Sequence, residues 1–208
     1  MKTEELVSKI NKGELDVRFA ELYGEPFVSE QRKRYIDAIN DFSELFGNDR
    51  DVRLFSVPGR SEISGNHTDH NRGCVIAAAV NLDIIAVASA NDKDTVTVKS
   101  KGFPADTVSC FPDSPEKALF YTSGSLLSGI CAGFLKRGYK VHGYDAYTTS
   151  DVLKGSGISS SAAFEVMVGT IMNYLYNDNV ISAPEIAQIA QFSENVYFGK
   201  PSGLMDQT

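Results

Sequence analysis

The stretch Asp151-Val-Leu-Lys-Gly-Ser-Gly-Ile-Ser-Ser-Ser-Ala-Ala-Phe-Glu165 sits between two different kinds of pattern. Upstream, Tyr139 to Thr149 alternates as a strand does. Downstream, Ile158 to Tyr176 is apolar on most faces, which suits a helix buried against a sheet. Gly155 and Gly157 allow backbone conformations closed to residues with a Cβ, so amides there can approach an anion. The free N–H groups of the first helical turn add to this, and the helix dipole favours negative charge. Hydroxyls of Ser159, Ser160 and Ser161 can donate to phosphate or ligate Mg²⁺, a hard oxygen-seeking cation. Spacing alone equally allows a flexible Gly/Ser turn with a serine cap. The segment lacks the lysine of a Walker A loop, and three serines follow Gly-x-Gly where a dinucleotide fingerprint would have other residues. A phosphate loop here is of a third type.

Around this junction the elements alternate in kind. Ser29 to Phe46 carries Tyr35, Ile36, Ile39, Phe42, Leu45 and Phe46 at helical spacing, with Gly47 as a stop. Val52 to Val57 reads as a strand closed by Pro58-Gly59, Gly73 to Val87 as a β-rich run, and Asp94 to Ser100 as a further strand. Lys101 to Pro115 reads as strand fragments and loop. Glu116 to Lys136 reads as a helix weakened by glycines and stopped at Gly138. Ser182-Ala-Pro-Glu185 has the form of a capping box for a helix running to about Tyr197. This order predicts an α+β domain with a mixed sheet.

Composition narrows the classes. With a formal net charge of -7 over 208 residues, the chain lacks the basic density of a sequence-independent nucleic-acid binder. No apolar run approaches the ~20 residues that span a bilayer, and the acidic N-terminus has no signal-peptide pattern. Cys74, Cys110 and Cys131 have no pairing motif and sit among apolar or small residues, so they are expected as buried, reduced thiols. The expected address is a reducing cytoplasm.

Two further segments carry chemistry. Pro58-Gly-Arg-Ser-Glu-Ile-Ser-Gly-Asn-His-Thr-Asp-His-Asn-Arg-Gly-Cys74 packs Arg60, Glu62, Asn66, His67, Asp69, His70, Asn71 and Arg72 between two strands. Such polar density suits a loop that hydrogen-bonds a polyhydroxylated ligand, with Asp69 accepting, His67 doing either and Arg60 offering a planar fork of donors. The same His67, Asp69 and His70 are also good metal ligands, and a merely structural polar turn is a third reading. At the C-terminal end, Glu194 falls where a carboxylate opposes a helix dipole. Pro201-Ser202-Gly203 then breaks that helix, and Asp206 follows among apolar neighbours.

Taken together the three segments resemble galactokinases of the GHMP kinase superfamily. The first matches that family's opening motif at Pro58-Gly59-Arg60, Gly65, His67-Thr68-Asp69, Asn71 and Gly73. The second matches its phosphate loop at Gly155 to Ala162 and Glu165. The third matches Gly-x-Pro-x-Gly-x-Met-Asp-Gln at Gly199 to Gln207. The resemblance runs from about Leu54 to Thr208 and covers the N-terminal portion of such an enzyme. It implies a GHMP kinase N-terminal domain over 51–208, with helices mainly on one face of a mixed sheet. Residues 1–50 would be an extension with an amphipathic helix, and the C-terminal domain would be absent.

The resemblance further implies a kinase using ATP and Mg²⁺ to convert galactose to galactose 1-phosphate. Arg60 and Asp206 would be catalytic, and Asn66, His67, Asp69 and Gly203 would bind the sugar. Gly155, Ser156, Gly157, Ile158, Ser159, Ser160 and Ser161 would bind ATP phosphates, and Ser160, Ser161 and Glu194 would hold Mg²⁺. Without a second domain, the 208 residues would be inactive alone. Departures bear on the sugar: Asn66 stands where the family carries glutamate, and Glu62 and Ser64 replace asparagine and isoleucine. They leave room for another hexose such as N-acetylgalactosamine, or for a non-catalytic sugar and ATP sensor.

Overall fold

The computed structural model describes residues 1–152 and 159–208. Among these, the chain runs α1 (Thr3–Asn11), α2 (Asp16–Tyr23), α3 (Val28–Phe46), β1 (Arg53–Ser64), β2 (Ile76–Ala90), β3 (Thr95–Ser100), β4 (Ala105–Ser109), α4 (Ser123–Lys136), β5 (Tyr144–Ser150), α5 (Ser160–Tyr176) and α6 (Ala183–Phe192). The strands form one sheet in the order β1-β2-β5-β3-β4. The β5–β3 pair is parallel and the other neighbours are antiparallel, so the sheet is mixed.

Side-chain alternation along β2 and β5 decides what covers each face. Ile84, Ala86, Ala88, Tyr144 and Ala146 point into a core with Leu127, Ile130 and Phe134 of α4, Met167 and Ile171 of α5, and Ile186 and Ile189 of α6. Ile85, Val87 and Tyr147 point the other way, against Leu6, Ile10, Phe19, Tyr35, Ile39 and Phe42 of α1 to α3. The helices of 51–208 therefore share one face, and those of residues 1–46 cover the other. Both faces are buried over residues 83–89, which explains why that half of β2 does not alternate, while residues 76–82 are largely exposed.

Several boundaries differ from the sequence reading for identifiable reasons. β1 continues through Pro58-Gly59 to Ser64, because it is an edge strand where proline costs no ladder bond. Its register against β2 shifts between Pro58 and Arg60. α4 begins at Ser123, capped by Thr122 Oγ1 accepting from Ser125 N at 3.2 Å, and β5 begins at Tyr144. Ser182 makes no side-chain cap, and the helix it precedes turns to π geometry at Ser193–Phe198. Cys110 and Cys131 are buried free thiols, but Cys74 is exposed in the β1–β2 connection. No helix among the described residues is long and apolar enough to cross a membrane.

Candidate active site

The site forms where the β1–β2 connection, the N-terminus of α5 and the segment after α6 converge. The register shift in β1 is what aims Arg60, since a bulge re-directs the side chain that follows it. Arg60 is 8% exposed, and one guanidinium nitrogen donates to Ser159 Oγ at 2.8 Å and pairs with Asp206. Ser159 has left-handed backbone (φ 54) just before α5 and does not cap the helix with its side chain. Its hydroxyl is thus free to meet the Arg60–Asp206 pair.

Asp206 lies in a short 3-10 turn, Met205–Gln207. Burial by itself would raise its pKa. Hydrogen bonds from Arg60 and Ser159, with the charges of Arg60 and His67, outweigh that and hold the carboxyl below its usual range. It is ionised at neutral pH, and correspondingly a weak base. His67, also left-handed (φ 53), places Nδ1 3.9 Å from Asp206 Oδ1. Its Nε2 lies 3.3 Å from Glu62 Oε2, and Glu62 Oε1 accepts from His67 N at 3.0 Å.

Asp69 ties two walls together. Its Oδ2 accepts from Met205 N at 2.9 Å. Gly203 lies so close to that carboxylate that any Cβ would collide with it. The Gly203 position is therefore fixed by a close approach of backbone to acid, not by a positive φ. Asn66 is exposed with φ 52, and His70 is exposed and contacts Asn71. A cavity of about 510 Å³ opens here, lined by Val57, Arg60, Asp69, Ala78, Met205 and Asp206 among others.

A second cluster lies behind Asp206. Glu194, in the π segment, has no exposed surface. Its Oε1 accepts from Lys200 Nζ at 2.9 Å and from Ser161 Oγ at 3.4 Å, and its Oε2 accepts from Gln207 Nε2 at 2.8 Å. Gln207 Nε2 also reaches Glu165 Oε2 at 3.3 Å. Burial and the neighbouring Glu194 charge push the Glu165 carboxyl up to about 9, with Gln207 and Lys200 partly opposing. Glu165 is therefore protonated at neutral pH.

Among the predicted residues, the structure brings together Arg60, Asp206, His67, Asp69, Gly203 and Ser159, and separately Ser161 with Glu194. Ser160 is half-buried in the first turn of α5. Gly155, Ser156, Gly157 and Ile158 lie outside the described residues. His67, Asp69 and His70 turn to different partners, and no group of three or more His, Cys, Asp or Glu among the described residues is disposed to hold a metal ion. Lys200, Gln207 and the inward turn of Glu62 were missed by sequence reading. Lys200 carried a signal, being the cation nearest in sequence to an unexplained buried carboxylate.

The chain is similar in sequence and fold to known kinases. A galactokinase galactose-binding signature matches residues 40–90, and a GHMP kinase N-terminal domain matches residues 125–208. The galactokinase of Lactococcus lactis subsp. lactis is 33% identical over 168 residues, which is 80% of this chain and 42% of that protein. The Streptomyces coelicolor galactokinase is 34% identical over 172 residues, 80% of this chain and 43% of that one. Among solved structures, Lactococcus lactis galactokinase complexed with galactose superposes with a TM-score of 0.72 at 26% identity, covering 81% of this chain and 44% of that chain. Methanococcus jannaschii mevalonate kinase shares the fold, with a TM-score of 0.61 at 14% identity.

Fold and site together define a GHMP kinase N-terminal domain. The chain resembles the galactokinases, over their N-terminal portion. It spans about two-fifths of the length of the curated relatives it matches.

Proposed function

We propose that this chain is the sugar- and phosphate-contacting part of an ATP-dependent sugar 1-kinase, with galactose as acceptor and ADP and galactose 1-phosphate as products. The observation that carries this reading is the Arg60–Asp206 pair at the edge of a cavity, with His67, Asp69 and Ser159 around it. Asp206 accepts a hydrogen bond from the anomeric hydroxyl and takes its proton as the new bond forms. Because Arg60 keeps Asp206 a weak base, most of the rate comes from alignment and from neutralising phosphate charge. Arg60 supplies one such charge directly. Asp69 retains Oδ1 for sugar hydroxyls after giving Oδ2 to Met205 N, and His67 adds a donor or acceptor.

The residues also fit ATP and Mg²⁺. The first turn of α5 presents N–H groups together with Ser160 and Ser161, in a site suited to phosphate. Glu194 and the Ser161 hydroxyl make a hard oxygen pair of the kind Mg²⁺ takes, while keeping several waters. Bound there, the cation would offset charge on the transferring phosphoryl group. Gly155 to Ile158 complete the phosphate loop in this reading. We place the protein in the cytoplasm, where three free thiols are stable.

A second reading keeps the mechanism and changes the sugar. Glu62 holds His67 from behind, and Asn66 can both donate and accept where the galactokinase pattern has glutamate. Another hexose, N-acetylgalactosamine among them, then becomes the acceptor.

The test is ADP release by the product of the complete reading frame, with Mg-ATP and a panel of hexoses. We expect turnover with galactose, reduced about 10²–10⁴-fold in Asp206→Ala. We expect the 208-residue chain by itself to bind sugar but turn over little, because it spans only about two-fifths of the relatives' length. Turnover only with another hexose selects the second reading. Sugar binding with no ADP release in the complete product overturns the kinase and leaves a sensor.

A further inference from the structure

Glu194 is the most deeply buried charge of the site, and its partners differ in how firmly they are held. Gln207 is 5% exposed and is pinned between Glu194 and Glu165. The Lys200 side chain is 49% exposed, although its ammonium sits 2.9 Å from Glu194 Oε1. The backbone, in contrast, is fixed. Lys200 N donates to Glu194 O at 3.1 Å, Gly199 is left-handed (φ 82), and its Cα packs against the Phe120 ring so closely that a Cβ would collide. The turn therefore returns the lysine stem over the carboxylate, while the stem itself can swing into water.

An ionised carboxylate with no exposed surface is costly without a counter-charge. In the cation-free protein Lys200 is that charge. The oxygen it occupies, Oε1, is the same one that faces the Ser161 hydroxyl. A divalent cation taken by Ser161 and Glu194 must use that edge, and an ammonium and a doubly charged ion repel each other there.

We propose that Lys200 is a built-in counter-ion, which holds Glu194 in place until a divalent cation displaces it and so sets the cation concentration the site answers to. This rests on the reading of Glu194 as a cation ligand.

The experiment is Mn²⁺ titration by electron paramagnetic resonance, with ADP present, on the wild-type chain, Lys200→Met, Lys200→Arg and Glu194→Gln. Melting is followed with and without Mn²⁺. Lys200→Met should bind Mn²⁺ about fivefold more tightly, the scale of one half-exposed ion pair. It should also melt lower than wild type in the absence of metal and recover when Mn²⁺ is added. Lys200→Arg keeps a cation and should stay near wild type. If Lys200→Met does not fold without metal, Lys200→Gln takes its place. Folding of either one only when Mn²⁺ is present supports the proposal, and failure of both with Mn²⁺ present overturns it. Equal Mn²⁺ affinity in wild type and Lys200→Met, lost in Glu194→Gln, overturns the role of Lys200 and leaves Glu194 as the ligand. Binding unchanged in Glu194→Gln, or no binding to any chain, overturns both.

Discussion

Glu165 lies inside α5 with no exposed surface, and its Oε1 and the Gln207 Oε1 find no hydrogen-bond partner among the described residues. A carboxyl raised to about 9 keeps its proton in the native state at pH values where the unfolded chain has lost it. Folding then binds a proton, so the contribution of Glu165 to stability is fully present below about pH 4 and is lost as pH rises towards 9. Glu165→Gln has no proton to keep. Denaturant unfolding of the two proteins from pH 4 to pH 9 should show the wild type losing on the order of a few kcal/mol relative to the variant. A constant difference across that range would mean Glu165 is not protonated in the fold. The neighbouring Asp206, less deeply buried, shows the opposite balance, because Arg60 faces it where Glu194 faces Glu165.

At the scale of elements, α4 and the π segment carry the site from behind. Gly129 lets them touch: a Cβ there would come within 2.8 Å of Ser193 Cα, a backbone atom that cannot yield. Ser193 Oγ donates to Leu126 O at 2.8 Å across the same contact. The wide turn that follows points Glu194 inward, which accounts for a carboxylate near a helix end. Gly129→Ala gains helix propensity worth about 1 kcal/mol but overpacks this contact by about 1–3 kcal/mol. We expect net destabilisation by thermal melting, with Mn²⁺ binding at Glu194 weakened as well. A variant as stable as wild type would show that α4 and the π segment are free to separate.

Over the whole molecule, Asp83 joins the two halves of the fold. It sits in β2 at 3% exposure and accepts from Tyr23 Oη at 2.5 Å, from Ser56 Oγ at 2.5 Å and from Arg34 at 2.6 Å. Arg34 continues to Asp151, 2.9 Å away, at the end of β5. One carboxylate thus fastens α2 and α3 to the sheet beneath them. Asp83→Ala leaves buried donors without an acceptor and should cost about 3–5 kcal/mol. Urea unfolding followed by tyrosine fluorescence should report it as a lower midpoint. No change in midpoint would mean that apolar packing alone docks the N-terminal helices.

The sequence by itself determined most of what depends on local pattern. The helix at Val28–Phe46, the strand before Asp151 and the apolar helix α5 all follow from periodicity, capping and turn chemistry, which act over a few residues. The pairing of Arg60 with Asp206, 146 positions apart, was implied only by the resemblance to galactokinases, because Asp206 stands among apolar neighbours and no local pattern marks it. Register and partner choice depended on the tertiary structure. The shift that aims Arg60, the burial of both faces of β2 and the exposure of Cys74 come from which strand lies beside which. The Glu194–Lys200–Gln207 cluster likewise needs a π turn and a left-handed Gly199 that no period of 3.6 foretells. Charges buried together acquire their protonation states from one another, and that coupling exists only once the chain has closed around them.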